Sequence, residues 1–399
     1  MPDPANQAVR PATEGRPTLR VAMIGHAFMG KAHSQAWRTA ARMFELPVEP
    51  VMAVLCGQDI GRATAAAVQL GWAEAADDWR SVIARDDIDL VDICTPGDSH
   101  AEIAIAALEA CKHVICEKPL ANSTLEAEAM ANAAAQAHAT GARAMVGFTY
   151  RRVPAVALAR QLIANGRVGD VRHVRAQYLQ DWIADPEAPM NWRLEKDRAG
   201  SGALGDIGAH IVDLTQYLLD DQIAQVTADL RTFVKDRPIA GTGDALIPDR
   251  RGLVTVDDAA AFIATFAGGA LGVFEATRFA TGRKNAIRIE INGSCGSLAF
   301  DFEDMNVLHF YDATEPAATA GFRRILATEP EHPYVEAWWP AGHGLGYEHG
   351  FTHQIVDFVN AVAAGTDPTP TFVDGLHVQH VLDTIERSAE ARSWQPVAP

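Results

Sequence analysis

The chain has 399 residues, more than one compact core needs and enough for two domains. Hydrophobic residues make up 48% and charged residues 21%, a globular composition that excludes a largely disordered chain. The 34 basic and 51 acidic side chains give a formal charge of −17, which disfavours nucleic acid and anionic membranes as partners and favours a small neutral substrate.

Residues 1–17 are polar and proline-rich, lack the apolar centre of a signal peptide, and read as a mobile tail. LRVAMIG (19–25) reads as a buried strand, followed by a helix over about 30–44. VMAVLC (51–56) is a second strand and 61–70 an alanine-rich helix. DLVDICTP (89–96) is a third strand with a proline stop, after which Asp98 or Ser99 caps a helix running to Cys111. HVICEKP (113–119) is a fourth strand, Ser123 opens the next helix, and ARAMVGF (142–148) is a fifth strand. Continuous apolar strands separated by helices predict a parallel, doubly wound sheet covered on both faces, the Rossmann arrangement, over 18–150.

After Tyr150 the pattern changes. A helix over about 155–164 leads to strand-like segments at 171–182, 225–234, 259–267, 270–279, 285–294 and 296–303, several joined by glycine-bearing turns. Helices near 203–219, 351–364 and 375–391 complete a predicted α+β domain over 151–399 with an open, mostly antiparallel sheet for substrate binding and oligomerisation. Residues 238–252 read as a long loop. Cys56, Cys94, Cys111, Cys116 and Cys295 form no CxxC pair and read as reduced thiols of a cytoplasmic protein. No apolar run approaches the roughly 18 residues of a membrane helix.

Three stretches carry chemistry. Gly25-His26-Ala27-Phe28-Met29-Gly30 joins a buried strand to a helix start, the context of a dinucleotide-binding turn. Gly25 permits the tight turn, Gly30 close helix packing, and the backbone of Ala27, Phe28 and Met29 can face a pyrophosphate. Cys56 stands where an acid would bond the ribose of NAD, beside Gln58; Arg62 reads either as a partner for a 2′-phosphate or as a solvated helix residue. The missing acid counts against NAD, and the lack of an arginine cluster after the second strand counts against NADP; NAD is expected and NADP left open. Glu117-Lys118-Pro119 lies at the carboxyl end of a parallel strand, where ligands of such sheets bind and an ammonium can meet a substrate oxygen. Gly200-Ser201-Gly202-Ala203-Leu204-Gly205-Asp206-Ile207-Gly208-Ala209-His210-Ile211-Val212-Asp213 sets Asp206, His210 and Asp213 on one helical face, and a carboxylate one turn from an imidazole can orient it as a general base. His343, His349 and His353 lack compact ligand spacing, and no metal is expected.

The G-x-A-x-x-G turn, the E-K-P strand end and the G-D-I-G-x-H-x-x-D helix occur in the order and spacing of the glucose–fructose oxidoreductase / inositol dehydrogenase / rhizopine-catabolism (Gfo/Idh/MocA) family, which the chain resembles over roughly 18–395. The resemblance implies that Lys118, Asp206 and His210 form the catalytic set, that Thr95, Pro96 and His100 line the cofactor pocket, and that the Lys118–Pro119 bond is a candidate cis bond. Gly147 to Arg152, Tyr178 to Trp182, Trp192-Arg193 and Glu275 to Arg278 look closer still to the pyranose-oxidising, levoglucosan dehydrogenase-like branch, although Thr149 stands where the wider family often has asparagine. Tyr150, Arg151, Tyr178, Gln180, Asp181, Trp182, Trp192, Arg193 and Arg278 are accordingly candidate substrate contacts: aromatic rings suit the apolar faces of a sugar, and the polar groups its hydroxyls.

The resemblance also implies a homodimer or homotetramer. The expected reaction is hydride transfer from a secondary alcohol of a sugar, anhydrosugar or cyclitol to NAD(P), with His210 as base and Lys118 on the oxygen. Three alternatives remain: a ketosugar reductase running the same chemistry backwards, a redox-assisted glycosidase, and a cofactor-binding sensor or repressor. Retention of Lys118, Asp206 and His210 argues against the last.

Overall fold

The computed structural model describes residues 16–240 and 246–398, so all but the end of the predicted tail lies outside the described residues. The chain opens as strand β1 (Thr18–Ile24), helix α1 (Phe28–Met43), β2 (Glu49–Cys56), α2 (Ile60–Leu70), β3 (Glu74–Ala76), α3 (Trp79–Ile83), β4 (Leu90–Ile93), α4 (His100–Glu109), β5 (His113–Cys116), α5 (Thr124–His138) and β6 (Ala144–Val146). The six strands pair in parallel in the order β3-β2-β1-β4-β5-β6. Both faces are covered by helices, which is why Val21, Ala22, Met23, Leu90, Val91, Val114 and Ile115 are all fully buried. Asp59 caps α2 by accepting from the Arg62 amide, and Ser123 caps α5 through the Glu126 amide. Helix α4 has no side-chain cap: the Ser99 hydroxyl donates instead to Thr95 Oγ1 and the Pro96 carbonyl.

The second half runs α6 (Pro154–Ala164), β7 (Val171–Leu179), α7 (Lys196–Ala199), a π-helical turn at Leu204–Gly208, α8 (Ala209–Leu219), then β8 (Ile223–Arg231), β9 (Asp236–Ala240), β10 (Leu246–Leu253), β11 (Ala259–Phe266), β12 (Leu271–Thr277), β13 (Ala286–Gly293), β14 (Gly296–Asp301), β15 (Val307–Asp312) and β16 (Arg323–Leu326). Helices α9 (Tyr347–Ala364) and α10 (Phe372–Ala391) and a short β17 (Gln395–Pro396) close it. Nine strands form one sheet in the order β16-β15-β14-β13-β7-β12-β11-β8-β17, antiparallel except where β12 meets β7. Alternation along β11 buries Phe262 and Ala264 against the helices and turns Ile263 outward.

Several sequence expectations change. The predicted loop at 238–252 contains the paired strands β9 and β10 on either side of 241–245, which lie outside the described residues. Strands β3, β15, β16 and β17 and helices α3 and α7 were not anticipated: β3, β16 and β17 are two to four residues long and carry polar or exposed side chains, whereas the six-residue β15 was passed over. The helix expected near 203–219 begins as a π turn, which alters the angular positions that an α-helical count assigns. Helix α9 returns to pack on α1, and its Phe351, Ile355, Phe358 and Val359 share a core with β1 and α1. Among the described residues, no helix is long and apolar enough to cross a membrane.

Candidate active site

At the end of β1 the chain makes a turn only glycine tolerates. Gly25 has φ +99°, and a Cβ there would stand 2.6 Å from the Cys94 carbonyl oxygen; a Cβ on Gly30 would stand 2.3 Å from the Gly25 carbonyl oxygen. Helix α1 has no capping side chain at Ala27 and no acid in its first turn, so its first amide groups remain available to an anion. This cradle fits the pyrophosphate of a dinucleotide. The Phe28 ring projects from it and stacks on Tyr347 at 6.1 Å, while Met29 packs against the core.

Cys56 is buried at the end of β2, and burial pushes its thiol up to about 11, so it offers no anion to a ribose. Gln58 and Arg62 are exposed beyond it. Thr95 and Pro96 follow β4; the buried His100 sets Nε2 3.0 Å from the Thr95 carbonyl oxygen and Nδ1 3.0 Å from that of Pro119, tying two strand ends together. The Lys118–Pro119 bond is cis.

A buried chain missed by sequence reading lies beneath this turn. His33 sets Nδ1 2.9 Å from Asp92 Oδ1 and Nε2 2.9 Å from Glu117 Oε1, and Trp37 Nε1 donates to Asp92 Oδ2 at 2.7 Å. Burial opposes a charge on His33, but Asp92 outweighs it and the pKa rises well above 6.5. The position of His33, three residues past Gly30, was the only available signal.

Across the crevice, the π turn brings Asp206 to Lys118. The Lys118 ammonium donates to the Asp206 carbonyl at 2.6 Å and lies 3.6 Å from its carboxylate. Burial would raise the Asp206 pKa, but the charges of Lys118, Arg278 and Arg193 hold it below the ordinary carboxylate value. His210 sits on the next turn, its ring edge-on to Tyr150 at 4.7 Å and to Phe148 at 6.0 Å. Burial, with the Lys118 charge behind it, pushes the imidazole well below 6.5. No hydrogen bond joins His210 to Asp206, contrary to the expectation of an orienting pair. Asp213 is not on this face either: it closes a buried pair with Arg151, at 2.8 Å to Nε and 2.5 Å to Nη2.

The other expected contacts divide. Tyr150 and Tyr178 are buried beside His210 with hydroxyls 2.8 Å apart, and Tyr178 donates to Asn285 Oδ1 at 2.6 Å. Gln180 donates to the same oxygen at 2.9 Å, so Asn285, which sequence reading passed over, organises this wall. Trp192 and Arg193 stack with the guanidinium 4.4 Å from the ring. Trp182 is exposed above the Arg278 guanidinium at 5.6 Å. Three expected contacts are otherwise engaged. Arg151 is held by Asp213, Asp181 bonds Lys284 and the Gly282 amide, and Arg278 is wholly buried behind Asp206. His349 and His353 lie in an aromatic cluster with Trp338 and Tyr334, and His343 on an exposed turn.

A parallel sheet with a glycine turn, a lysine at a neighbouring strand end and a histidine facing it from a second domain defines a nicotinamide-dependent oxidoreductase. The comparisons with known proteins agree. The oxidoreductase family model with an NAD-binding Rossmann fold matches residues 19–148, and the GFO/IDH/MocA C-terminal domain matches 156–299. The chain belongs to the Gfo/Idh/MocA family and is an NAD-dependent oxidoreductase.

It is 43% identical to levoglucosan dehydrogenase of Pseudarthrobacter phenanthrenivorans over 95% of this chain and 98% of that protein. An oxidoreductase domain protein from Kribbella flavida superimposes with a TM-score of 0.93 at 69% identity, covering 96% of this chain and all of that one. A levoglucosan dehydrogenase in complex with NADH and levoglucosan gives 0.90 at 42% identity, over 96% and 99%.

Proposed function

We propose that the protein oxidises a secondary hydroxyl of a pyranose ring, with the anhydrosugar levoglucosan as the leading substrate, and that Lys118, Asp206 and His210 carry the reaction. The supporting observation is the crevice in which the Lys118 ammonium, the Asp206 carboxylate and the His210 ring meet beside an aromatic wall of Tyr150 and Tyr178. No described residue hydrogen-bonds the His210 ring, and its nitrogens are not sealed from the crevice.

NAD bound at the glycine turn supplies the hydride acceptor. His210, kept neutral by burial, takes the hydroxyl proton. Lys118 stays on the same oxygen and stabilises its developing negative charge. Asp206 holds the lysine in place. Tyr150 and Gln180 meet ring hydroxyls, and the rings of Tyr150 and Trp192 lie against C–H faces.

The outer face of the nine-stranded sheet, with Ile263, Leu271 and Val273 exposed, supports a homo-oligomer, which light scattering after size exclusion tests. The unpaired cysteines support a reducing compartment, the cytoplasm. The deciding experiment follows nicotinamide absorbance with a panel of anhydrosugars, pyranoses and cyclitols against NAD⁺ and NADP⁺. Levoglucosan with NAD⁺ is expected to give the highest kcat/KM. Turnover confined to open-chain alcohols would remove the ring-substrate reading.

A further inference from the structure

Arg278 follows β12 and has no exposed surface at all, while Asp206 in front of it is 27% exposed and Lys118 14%. A guanidinium carries five N–H donors, and a buried one is costly unless they are paired. Only Nη2 of Arg278 is bonded, to the Asp257 carbonyl at 3.1 Å; Nε and Nη1 have no hydrogen-bond partner. The Asp257 carboxylate does not close the deficit: its oxygens accept from the Gly202 amide at 2.7 Å and the Leu204 amide at 2.8 Å, and neither bonds the guanidinium. Nη1 instead stands 3.7 Å from Asp206 Oδ2, about 1 Å beyond a good charged hydrogen bond. The other carboxylate oxygen, Oδ1, is the one facing Lys118.

The glycine-rich stretch serves this arrangement. A Cβ on Gly202 would stand 1.7 Å from the Asp257 carbonyl oxygen and 2.9 Å from Arg278 Nη2. Gly202 therefore makes room behind the site for the arginine and its carbonyl partner.

We infer that Arg278 is a positioning residue: its buried guanidinium anchors Oδ2 of Asp206 from behind, so that Oδ1 stays turned to Lys118 at the reacting oxygen. This rests on the reading of Asp206 as part of the site. The groups facing Asp206 are Lys118 from the end of β5, Arg193 from the 192–194 turn, Arg278 from the end of β12, the hydroxyls of Tyr150 and Tyr178, and His210 one turn on. Of the three cations, Arg278 is the one without exposure. Its removal exchanges a fixed charge for an apolar wall, and Asp206 then protonates more easily.

The test compares Arg278→Met, Arg278→Lys, Asp206→Asn and the double variants, reading kcat, KM and the pH profile of kcat/KM. Arg278→Met is expected to lower kcat on the order of tenfold or more and to let Asp206 protonate at higher pH, so that the acid limb, which His210 alone sets in the unsubstituted protein, becomes steeper or moves up. Arg278→Lys keeps the charge and is expected to leave the limb near that of the unsubstituted protein. In an Asp206→Asn background either arginine substitution should cost less than about twofold, since its route is already gone. Losses that multiply in the double variants, or an acid limb unchanged in both slope and midpoint in Arg278→Met, overturn the inference. Should Arg278→Met not fold, the same cycle with Arg278→Lys decides it. If Asp206→Asn alone leaves kcat intact, the assignment of Asp206 fails instead.

Discussion

Two aspartates seven residues apart meet buried arginines in opposite ways. Asp213, on α8, closes on Arg151 with two short bonds, and Tyr217 covers the guanidinium at 4.8 Å. Asp206, on the π turn, stands off from both Lys118 and Arg278 at 3.6 and 3.7 Å and keeps part of its surface open. Electrostatics follow the geometry. Burial dominates at Asp213 and raises its pKa despite Arg151, whereas three surrounding cations lower that of Asp206. A saturated pair orders the chain; an unsaturated one can still respond to a ligand. One helical segment thus carries a closed clamp at Asp213 and, on the π turn that opens it, the more open carboxylate of Asp206.

The largest effect that sharpens this division is expected at His210, on the open side. His210→Ala should lower kcat on the order of 10²–10⁴-fold, while NADH affinity, followed by the fluorescence of the reduced nicotinamide, stays within a few-fold. The pH profile carries the sign. The base must be neutral, and burial depresses its pKa, so oxidation should hold down to below the usual 6.5 and fall only as the ring protonates. A limb at or above 6.5, or near-normal turnover in the alanine variant, would assign the proton to another group.

On the closed side the same logic predicts lost stability with preserved chemistry. Asp213→Asn strands a buried Arg151 charge and should cost roughly 3–5 kcal/mol in urea unfolding. The kcat of the folded fraction should stay near normal. Asp206→Asn should do the reverse, losing rate with a smaller drop in the urea midpoint than Asp213→Asn, since the carboxylate it neutralises is partly exposed and makes no hydrogen bond to the buried Arg278. Equal loss of rate in both variants would erase the distinction between clamp and site.

Much of this was legible in the sequence because the chemistry sits at places that sequence marks. Gly25 follows the end of β1, Gly30 sits in the first turn of the helix behind it, and Lys118 lies just past β5, and proline and glycine punctuate those places. Five of the six parallel strands, β1, β2, β4, β5 and β6, announce themselves as apolar runs. What was not legible depends on contacts between distant residues. His33 meets Asp92 and Glu117 at separations of 59 and 84 residues, and Tyr178 meets Asn285 at 107. Helical counting also misled: a face drawn through Asp206, His210 and Asp213 assumes 3.6 residues per turn, and the π turn at Leu204–Gly208 breaks that count. The burial of Arg278 has the same character, since nothing in Glu275-Ala276-Thr277-Arg278 says that the strand end points inward.

The smallest expected effect is at Asn285, a residue that supports the site without reaching the reacting atoms. Its Oδ1 accepts from both Tyr178 and Gln180. With its proton given to Asn285, Tyr178 can only accept from Tyr150, so the Tyr150 proton is spent as well. The Tyr150 oxygen then faces the crevice as an acceptor, suited to a substrate hydroxyl that donates. Asn285→Leu removes the acceptor that fixes this order, and a single neutral hydrogen bond is worth about 0.5–1.5 kcal/mol. The expected result is a KM for levoglucosan raised roughly 2- to 12-fold, with kcat changed less because Lys118 and His210 are untouched. A kcat loss larger than the KM change would mean that the wall positions the reacting carbon itself, and Asn285 would then belong with Arg278 among the groups that set the chemistry.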